Sequence, residues 1–378
     1  MRVAGIMSGT SLDGIDVAVI DIDDDGFDTV SFLSVPYADE VRAAILGVSN
    51  REAHTREMAR LHFLLPELYA EAFFEACRRA GEKPDSVELI GCHGQTIYHE
   101  AAPADYLGRR VACTLQIGDG CVLAERTGVP VISDFRPRDI AAGGQGAPLA
   151  PFADYLLFRT KQRARVAVNI GGIANITIIP AGAGPEQVLA FDTGPGNMVL
   201  DEIAARATGA RFDRDGALAL SGEVQPKLLE ELLADPYYAR RPPKSAGREQ
   251  YGREFADRFY QAGLSHADAA ATATLLTAAT IADAIYNFAD AERSGPEVIV
   301  AGGGVHNPAL MKALAAELPD CDVFSSEEIG LDPDAKEAIA FAILAHETWH
   351  GRPGNLPSAT GARRAAVLGK LSQAGKPG

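Results

Sequence analysis

Hydrophobic and polar positions along the chain follow two periods that alternate. Short apolar runs bounded by turn-forming residues predict strands, and runs with apolar residues three and four apart predict helices. Near the N-terminus, Arg2-Val3-Ala4 and the run Val17-Ala18-Val19-Ile20 flank the stretch Gly5 to Asp16, whose middle is small and polar, so a β-hairpin is predicted. Asp23-Asp24-Asp25-Gly26 marks an acidic turn, and residues 27–35 read as a third strand. A short helix is predicted over 39–46 and a longer one over 54–79, with Leu61, Leu64, Leu65, Leu68, Phe73 and Phe74 as its apolar positions. Pro66 inside that run predicts a kink or break. His62 in the same run reads as a packing or surface residue.

Residues 87–92 have the composition of a buried strand, and the polar string His93-Gly94-Gln95-Thr96 follows. A strand-to-helix unit is predicted over 114–127 and a short strand over 129–133. The Gly- and Pro-rich stretch 134–148 reads as a loop and a domain boundary. Beyond it, residues 165–179 repeat the opening design of apolar strand, glycine turn and apolar strand. Leu189-Ala190-Phe191 is a strand that leads into Asp192, a Gly-Pro-Gly turn and a helix over 198–208. Arg240-Arg241-Pro242-Pro243-Lys244 reads as a solvated basic turn. An Ala- and Thr-rich helix is predicted over 266–291, a buried strand over 297–301, a helix over 308–318 and a final apolar helix from 332, capped by Asp332 or Asp334. Strands alternating with helices argue for an α/β fold. Two similar hairpins, one opening each half, predict a duplicated architecture with a cleft between the halves.

Composition narrows the function. The chain has 378 residues and is 47% hydrophobic, enough for a large core and more than one domain. With 35 basic and 51 acidic residues its formal charge is −16, the wrong sign for a nucleic-acid binder. An acidic protein that holds a polyanion must supply local compensation from backbone amides, a metal ion or placed arginines. The five cysteines form no C-x-x-C pair, so reduced thiols in a cytoplasmic protein are expected. No signal peptide and no bilayer-spanning apolar run are read, and no membrane partner is expected.

The candidate chemistry sits at the turns. Ser8, Gly9, Thr10 and Ser11 are small enough to bring backbone N–H groups and hydroxyls close to phosphate oxygens, and Asp13 is placed to hold a hydrated Mg²⁺ beside them. Gln95 and Thr96 follow a strand, where polar side chains line α/β active sites or satisfy loop backbone groups. Arg136 and Arg138 lie at the boundary loop, suited to a carboxylate fork or to interdomain ion pairs. Asp192, at a strand end before a helix N-terminus, is expected to be held ionised by the helix dipole. Gly302-Gly303-Gly304 after a strand suits a nucleotide base or ribose lying on backbone. Neither G-x-x-x-x-G-K-[ST] nor G-x-G-x-x-G occurs. His346-Glu347-Thr348-Trp349-His350 fits H-E-x-x-H, but no Asp, Glu or His follows it to serve as a third zinc ligand, and Gly351 and Pro353 end the helix.

Taken together, the strings Met7 to Gly14, Cys92 to Thr96, Ser133 to Arg136, Asn169 to Asn175, Phe191 to Asn197 and Gly302 to Asn307 resemble the anhydro-N-acetylmuramic acid kinases of the sugar kinase/Hsp70/actin superfamily. The resemblance implies a two-domain, ribonuclease H-like duplicated α/β fold with a central cleft. One domain would be residues 1–135 with 353–378, the other 136–352. It implies ATP and Mg²⁺ as cofactors, a small amino sugar as substrate and a homodimer. It also implies the reaction 1,6-anhydro-N-acetylmuramic acid + ATP + water → N-acetylmuramic acid 6-phosphate + ADP, a step of peptidoglycan recycling. Carried onto this chain, Asp192 matches the catalytic base. Gly9, Thr10, Ser11, Leu12, Asp13, Gly14, Ile15 and Asp16 match the first phosphate loop, with Asp13 at the metal. Gly171 and Gly172 match the second phosphate hairpin, and Gly302, Gly303 and Asn307 the adenosine site. Gln95, Thr96, Arg136 and Glu337 match positions near the sugar, Arg136 being suited to the lactyl carboxylate. Two other readings of the same residues are a kinase acting on an open sugar hydroxyl and a non-enzymatic ATPase clamp.

Overall fold

The opening hairpin forms where the pattern predicts it: β1 (Arg2–Ser8) runs antiparallel to β2 (Gly14–Ile22), with Met7 opposite Asp16. The structure, a computed structural model, describes residues 1–9, 12–23, 26–289 and 295–375, the side chain of Arg248 apart. β3 (Phe27–Pro36) continues the meander against β2. β4 (Leu89–Tyr106) then lies parallel to β1, β5 (Arg109–Ile117) folds back antiparallel on β4, and β6 (Val131–Ser133) runs parallel to β4.

A second sheet repeats this plan. β7 (Arg165–Ile170), β8 (Ile173–Ile179) and β9 (Leu189–Pro195) form an antiparallel meander. β10 (Glu297–Ala301) pairs parallel with β7, and β11 (Asp322–Ser325) parallel with β10. β12 (Lys370–Ser372) returns to the first sheet, antiparallel to β6. The order β3-β2-β1-β4-β6 in one sheet therefore matches β9-β8-β7-β10-β11 in the other. This is the duplicated α/β arrangement expected from the two hairpins.

The chain divides into two compact units, Met1–Ala153 with Ala335–Gly378, and Asp154–Asp334. The expected boundaries near 135 and 352 thus move to 153/154 and 334/335, and two interactions give the reason. Asp139 is fully buried and gathers its own loop with the C-terminal segment. Its Oδ2 accepts from Gly146 N (2.8 Å), and its Oδ1 accepts from Asn355 Nδ2 (2.6 Å) and Thr360 Oγ1 (2.8 Å). The helix Lys336–Trp349 packs on the first sheet so closely that a Cβ on Gly5 or Gly91 would collide with the carbonyl of Ala338 or Phe341. Only glycine permits that approach.

In the first unit the helix Thr55–Ala80 buries Leu61, Leu65, Tyr69 and Phe73 in the core of the sheet. It runs unbroken through Pro66, contrary to the expected break, and Leu64 and Phe74 of the predicted apolar set stay exposed. His62 links this helix to the start of the next, accepting from Gly118 N at Nδ1 (3.0 Å) and pairing with Asp119 through Nε2. The five cysteines are all free thiols.

In the second unit the helix His266–Phe288 packs against β8 and β9 and beside the helix Pro308–Glu317. Contrary to the sequence reading, this helix is long and apolar enough to cross a membrane, with a mean hydropathy of 1.3 over its best window. Its many alanines raise the average, against its threonines, without forming a recognisable aliphatic run. Of that window 78% is buried in the protein, as in a core helix.

Candidate active site

The first glycine loop is held by a buried polar chain. Ser8 Oγ, at the end of β1, donates to Gln95 Oε1 (2.5 Å) and accepts from the hydroxyls of Tyr37 (3.0 Å) and Tyr69 (3.4 Å). Gln95 Nε2 donates to the carbonyl of Gly9 (3.2 Å) and that of Thr96 (3.3 Å). Leu12 takes a left-handed φ of 60° with its side chain buried, while Asp13 is exposed and its carbonyl accepts from Tyr37 N. Gly14 opens β2, Ile15 points into the core, and Asp16 pairs with Met7 and Ser34 in the sheet. Thr10 and Ser11 lie outside the described residues.

β4 does not end at Cys92 but runs on through Thr96, so Gln95 and Thr96 are strand residues rather than loop residues. Gln95 has no exposed surface. Its oxygen accepts from Ser8 and its amide donates to Gly9, so it braces the turn. Thr96 is half-buried, and its hydroxyl accepts from Gln116 Nε2 (3.1 Å).

Arg136 follows Asp134, a left-handed residue at the start of the short helix Phe135–Ala141, so the expected loop is partly helical. The guanidinium donates from Nε and Nη2 to His93 Nε2 (3.0 and 2.8 Å) and from Nη1 to the carbonyl of Gly146 (2.8 Å). Two donors on one imidazole nitrogen place the His93 proton on Nδ1. Burial and the Arg136 charge push His93 down to about 3, against the backbone of Gly94 and Ser8, so it is neutral at any physiological pH. Burial also lowers Arg136 to about 10, opposed by the negative charges of Glu337 and Asp139. Glu337 is exposed in the first turn of Lys336–Trp349, whose N-cap is Ala335 and not Asp332 or Asp334. Asp334 pairs with His306 instead (2.9 Å). The first unit therefore brings Arg136, His93 and Glu337 into one electrostatic group, roofed by Phe341 with its ring 4.7 Å from that of His93.

In the second unit Gly171 and Gly172 form the β7–β8 turn. Their carbonyls accept from the N–H groups of Gly196, Asn197 and Met198, at the start of the helix Asn197–Thr208. Those first-turn donors are therefore already engaged, and the helix does not use them to hold Asp192 ionised. Asp192 lies inside β9, not at its end, and Gly196 is the N-cap. Burial pushes its carboxyl up to about 6, and the single hydrogen bond from Ala246 N to Oδ2 (2.9 Å) lowers it only in part. The expected dipole-stabilised carboxylate is thus a desolvated one. Oδ1 receives no hydrogen bond from the described residues.

Sequence reading missed what surrounds Asp192. Its N–H donates to the carbonyl of Lys244 (3.3 Å) and its carbonyl accepts from Tyr237 Oη (2.8 Å). Lys244, expected in a solvated turn, is 6% exposed. The run of two arginines before it hid that, since charge runs are usually solvated.

Gly302 follows β10 at φ 82°, where a side chain would be strained and would also crowd Asn169 and Ile170. A Cβ on Gly303 would meet Asn197 Nδ2 at an ordinary 3.6 Å. Asn307 caps Pro308–Glu317, its Oδ1 accepting from Ala309 N (3.1 Å) and Leu310 N (3.2 Å). Its carbonyl oxygen is thereby spent on the helix. In the H-E-x-x-H string, Glu347 is clamped by Arg352 (2.5 and 2.8 Å), and His350 Nδ1 lies 2.8 Å from the carbonyl of His346.

Two sheets of matching strand order, each opened by a hairpin with a small-residue turn, define a duplicated α/β protein. A family model described as anhydro-N-acetylmuramic acid kinase matches residues 1–374. Relatives named anhydro-N-acetylmuramic acid kinase include those of Caldanaerobacter subterraneus subsp. tengcongensis, 43% identical over 98% of this chain and 96% of that one, and Salinibacter ruber, 44% identical over 99% and 96%. The chain belongs to the anhydro-N-acetylmuramic acid kinase family. Among solved structures, a Streptomyces griseus ROK family glucokinase in complex with glucose and AMPPNP is 14% identical over 92% of this chain and 100% of that one, with a TM-score of 0.40. That likeness is too slight to argue from.

Proposed function

We propose that this protein opens the 1,6-anhydro ring of 1,6-anhydro-N-acetylmuramic acid with water and transfers the γ-phosphoryl group of ATP to O6, giving N-acetylmuramic acid 6-phosphate and ADP. Family membership supports the kinase role in cell-wall recycling. The observation that carries the mechanism is the Asp192 carboxyl: desolvated, raised to about 6, and hydrogen-bonded, among the described residues, through one oxygen. Such a group is ionised at neutral pH yet basic enough to take a proton from water attacking C1. The O6 leaving group needs no separate acid, because it attacks the γ-phosphorus in line.

In the first unit the stretch Gly9 to Asp16, which takes in the start of β2, is assigned to the phosphates, its Gly9 carbonyl held from behind by Gln95. Arg136 is the partner for the lactyl carboxylate, a role that suits a buried guanidinium whose known acceptors are a neutral imidazole and a carbonyl. Thr96 and Glu337 are assigned to sugar hydroxyl and amide groups. In the second unit Gly171 and Gly172 carry phosphate contacts, and Gly302, Gly303 and the Asn307 amide the adenosine. Asp13, exposed at the end of its loop, fits Mg²⁺ held through water. No group of three or more acids, histidines or cysteines placed to bind a metal occurs among the described residues, in keeping with an ion carried mainly by ATP and water. The metal would neutralise charge on the phosphates. A cytoplasmic homodimer is part of the same proposal, and the dimer is checked by sedimentation.

The test is ADP release with and without 1,6-anhydro-N-acetylmuramic acid, in ¹⁸O-labelled water. Sugar-dependent ADP release with ¹⁸O at C1 of the product is expected. Label-free product would instead favour transfer to an open sugar hydroxyl, and sugar-independent turnover an ATPase clamp.

A further inference from the structure

Lys244 is a buried cation that the proposed reaction does not use. Its ammonium donates to the carbonyls of Tyr237 (3.3 Å) and Tyr238 (2.9 Å). It also lies 5.3 Å from the ring centre of Phe191 and 4.9 Å from that of Tyr237. These contacts tie together three pieces of chain: the short helix Pro236–Ala239, the segment 240–247, and β9 at the residue before Asp192. The first two of these then meet Asp192 at three points. Lys244 O accepts from Asp192 N, Tyr237 Oη donates to Asp192 O, and Ala246 N donates to Asp192 Oδ2.

We propose that Lys244 is a positioning residue: it fastens the segment 237–246 along β9, so that Ala246 N–H holds one oxygen of the Asp192 carboxylate and the other stays turned to the reacting water. The inference rests on Asp192 being the general base. Burying an ammonium is costly unless donors and aromatic faces replace water, and here both are present. A plain packing role would be met more cheaply by an apolar side chain, so the charge itself calls for a reason. The loop contains two prolines, Pro242 and Pro243, which have no N–H to pin it, and Lys244 supplies the missing donors from a side chain. The charged groups facing Lys244 are Asp283, from the helix His266–Phe288, and Arg240 of its own segment; Tyr237 faces Asp192.

The test is a pH–rate series on the full-length enzyme with saturating ATP and 1,6-anhydro-N-acetylmuramic acid, for the parent, Lys244→Met, Lys244→Arg and Asp192→Asn. Lys244→Met keeps the length and apolar packing and removes every donor. It is expected to bind ATP like the parent, to lose about ten- to a hundredfold in kcat through misplacement of the base, and to move the acid limb of kcat to higher pH. The direction follows because the Ala246 hydrogen bond favours the ionised carboxylate and would be weakened. Lys244→Arg retains charge and donors and should recover part of the rate and return the limb toward the parent. An unshifted limb in Lys244→Met, or a rate loss matching only its unfolded fraction, overturns the inference. If Asp192→Asn turns over normally, the base reading itself falls. If Asp192→Asn is inactive while Lys244→Met behaves as the parent, only the role of Lys244 falls. Should Lys244→Met fail to fold, Tyr237→Phe removes one of the three contacts with Asp192, and the same upward limb shift is expected; a parental limb there overturns the proposal.

Discussion

Ser8 Oγ donates to Gln95 Oε1 at 2.5 Å, joining the end of β1 to the middle of β4 across 87 residues of sequence. The Gln95 amide then donates to the carbonyl of Gly9, so a single buried side chain sets where the first glycine turn begins. Gln95→Leu keeps the volume and strips all three bonds, leaving Ser8 Oγ and the carbonyls of Gly9 and Thr96 in need of partners. A stability loss of about 1–3 kcal/mol is expected from denaturant melts. The KM for ATP should rise more than that for the sugar. The reverse split would show that Gln95 meets the sugar after all.

Asp192 yields two linked outcomes. Because the carboxyl must be ionised to act as a base, kcat should fall as pH drops through about 6. Asp192→Asn should retain ATP binding and lose at least about a hundredfold in turnover. The same variant should be more stable than the parent. Folding raises this carboxyl above its ordinary value of 3.8, so its contribution to stability is fully present below about pH 4 and is lost as pH rises through about 6. At pH 8 the parent carries a desolvated charge that the amide lacks. A gain of about 1–3 kcal/mol for Asp192→Asn is expected there, shrinking toward pH 4. Thermal melts at both pH values read this directly.

Arg136→Met should raise the KM for 1,6-anhydro-N-acetylmuramic acid at least about tenfold while leaving that for ATP near the parental value. An anhydro sugar lacking the lactyl carboxylate should show little difference between the two enzymes. Because His93 is held neutral down to about pH 3, titration of His93 should add no step to the sugar KM between pH 5 and 8. An equal KM penalty on both sugars would remove Arg136 from the carboxylate.

Asp139→Asn addresses the first unit rather than the chemistry. Its carboxylate collects three donors, from Gly146, Asn355 and Thr360, and an amide would present N–H groups to some of them. A loss of about 2–4 kcal/mol is expected in equilibrium unfolding. Proteolysis should become faster within 355–366. Unchanged melting would mean the C-terminal segment is held by other contacts.

Elements whose side chains alternate or recur with a strong period were legible in the sequence. Both hairpins, the long helix near residue 60 and the strand at β10 read correctly because their apolar faces are dictated by local geometry. Elements that cross a composition change did not. β4 was cut short at Cys92 because Gly94, Gln95 and Thr96 are polar or small, yet they stay in the sheet through pairing with β1 and β5. Pro66 by itself predicts a kink or break, but a long helix packed on a sheet tolerates one missing hydrogen bond. Lys244 looked solvated because its neighbours are arginines, and only long-range contacts with Phe191 and Tyr237 draw it inside.

By itself, then, the sequence determined the α/β class, the duplication, and the small-residue turns that point to phosphate, because these depend on periodicity and on residue size. It also carried the family strings that identify the chemistry. Tertiary structure decided the state of each group. It made Asp192 a raised acid in mid-strand, Gln95 a brace, Asn307 a helix cap and Lys244 a buried cation. Those outcomes depend on desolvation and on partners dozens of residues away, and neither is written in the local order of the chain.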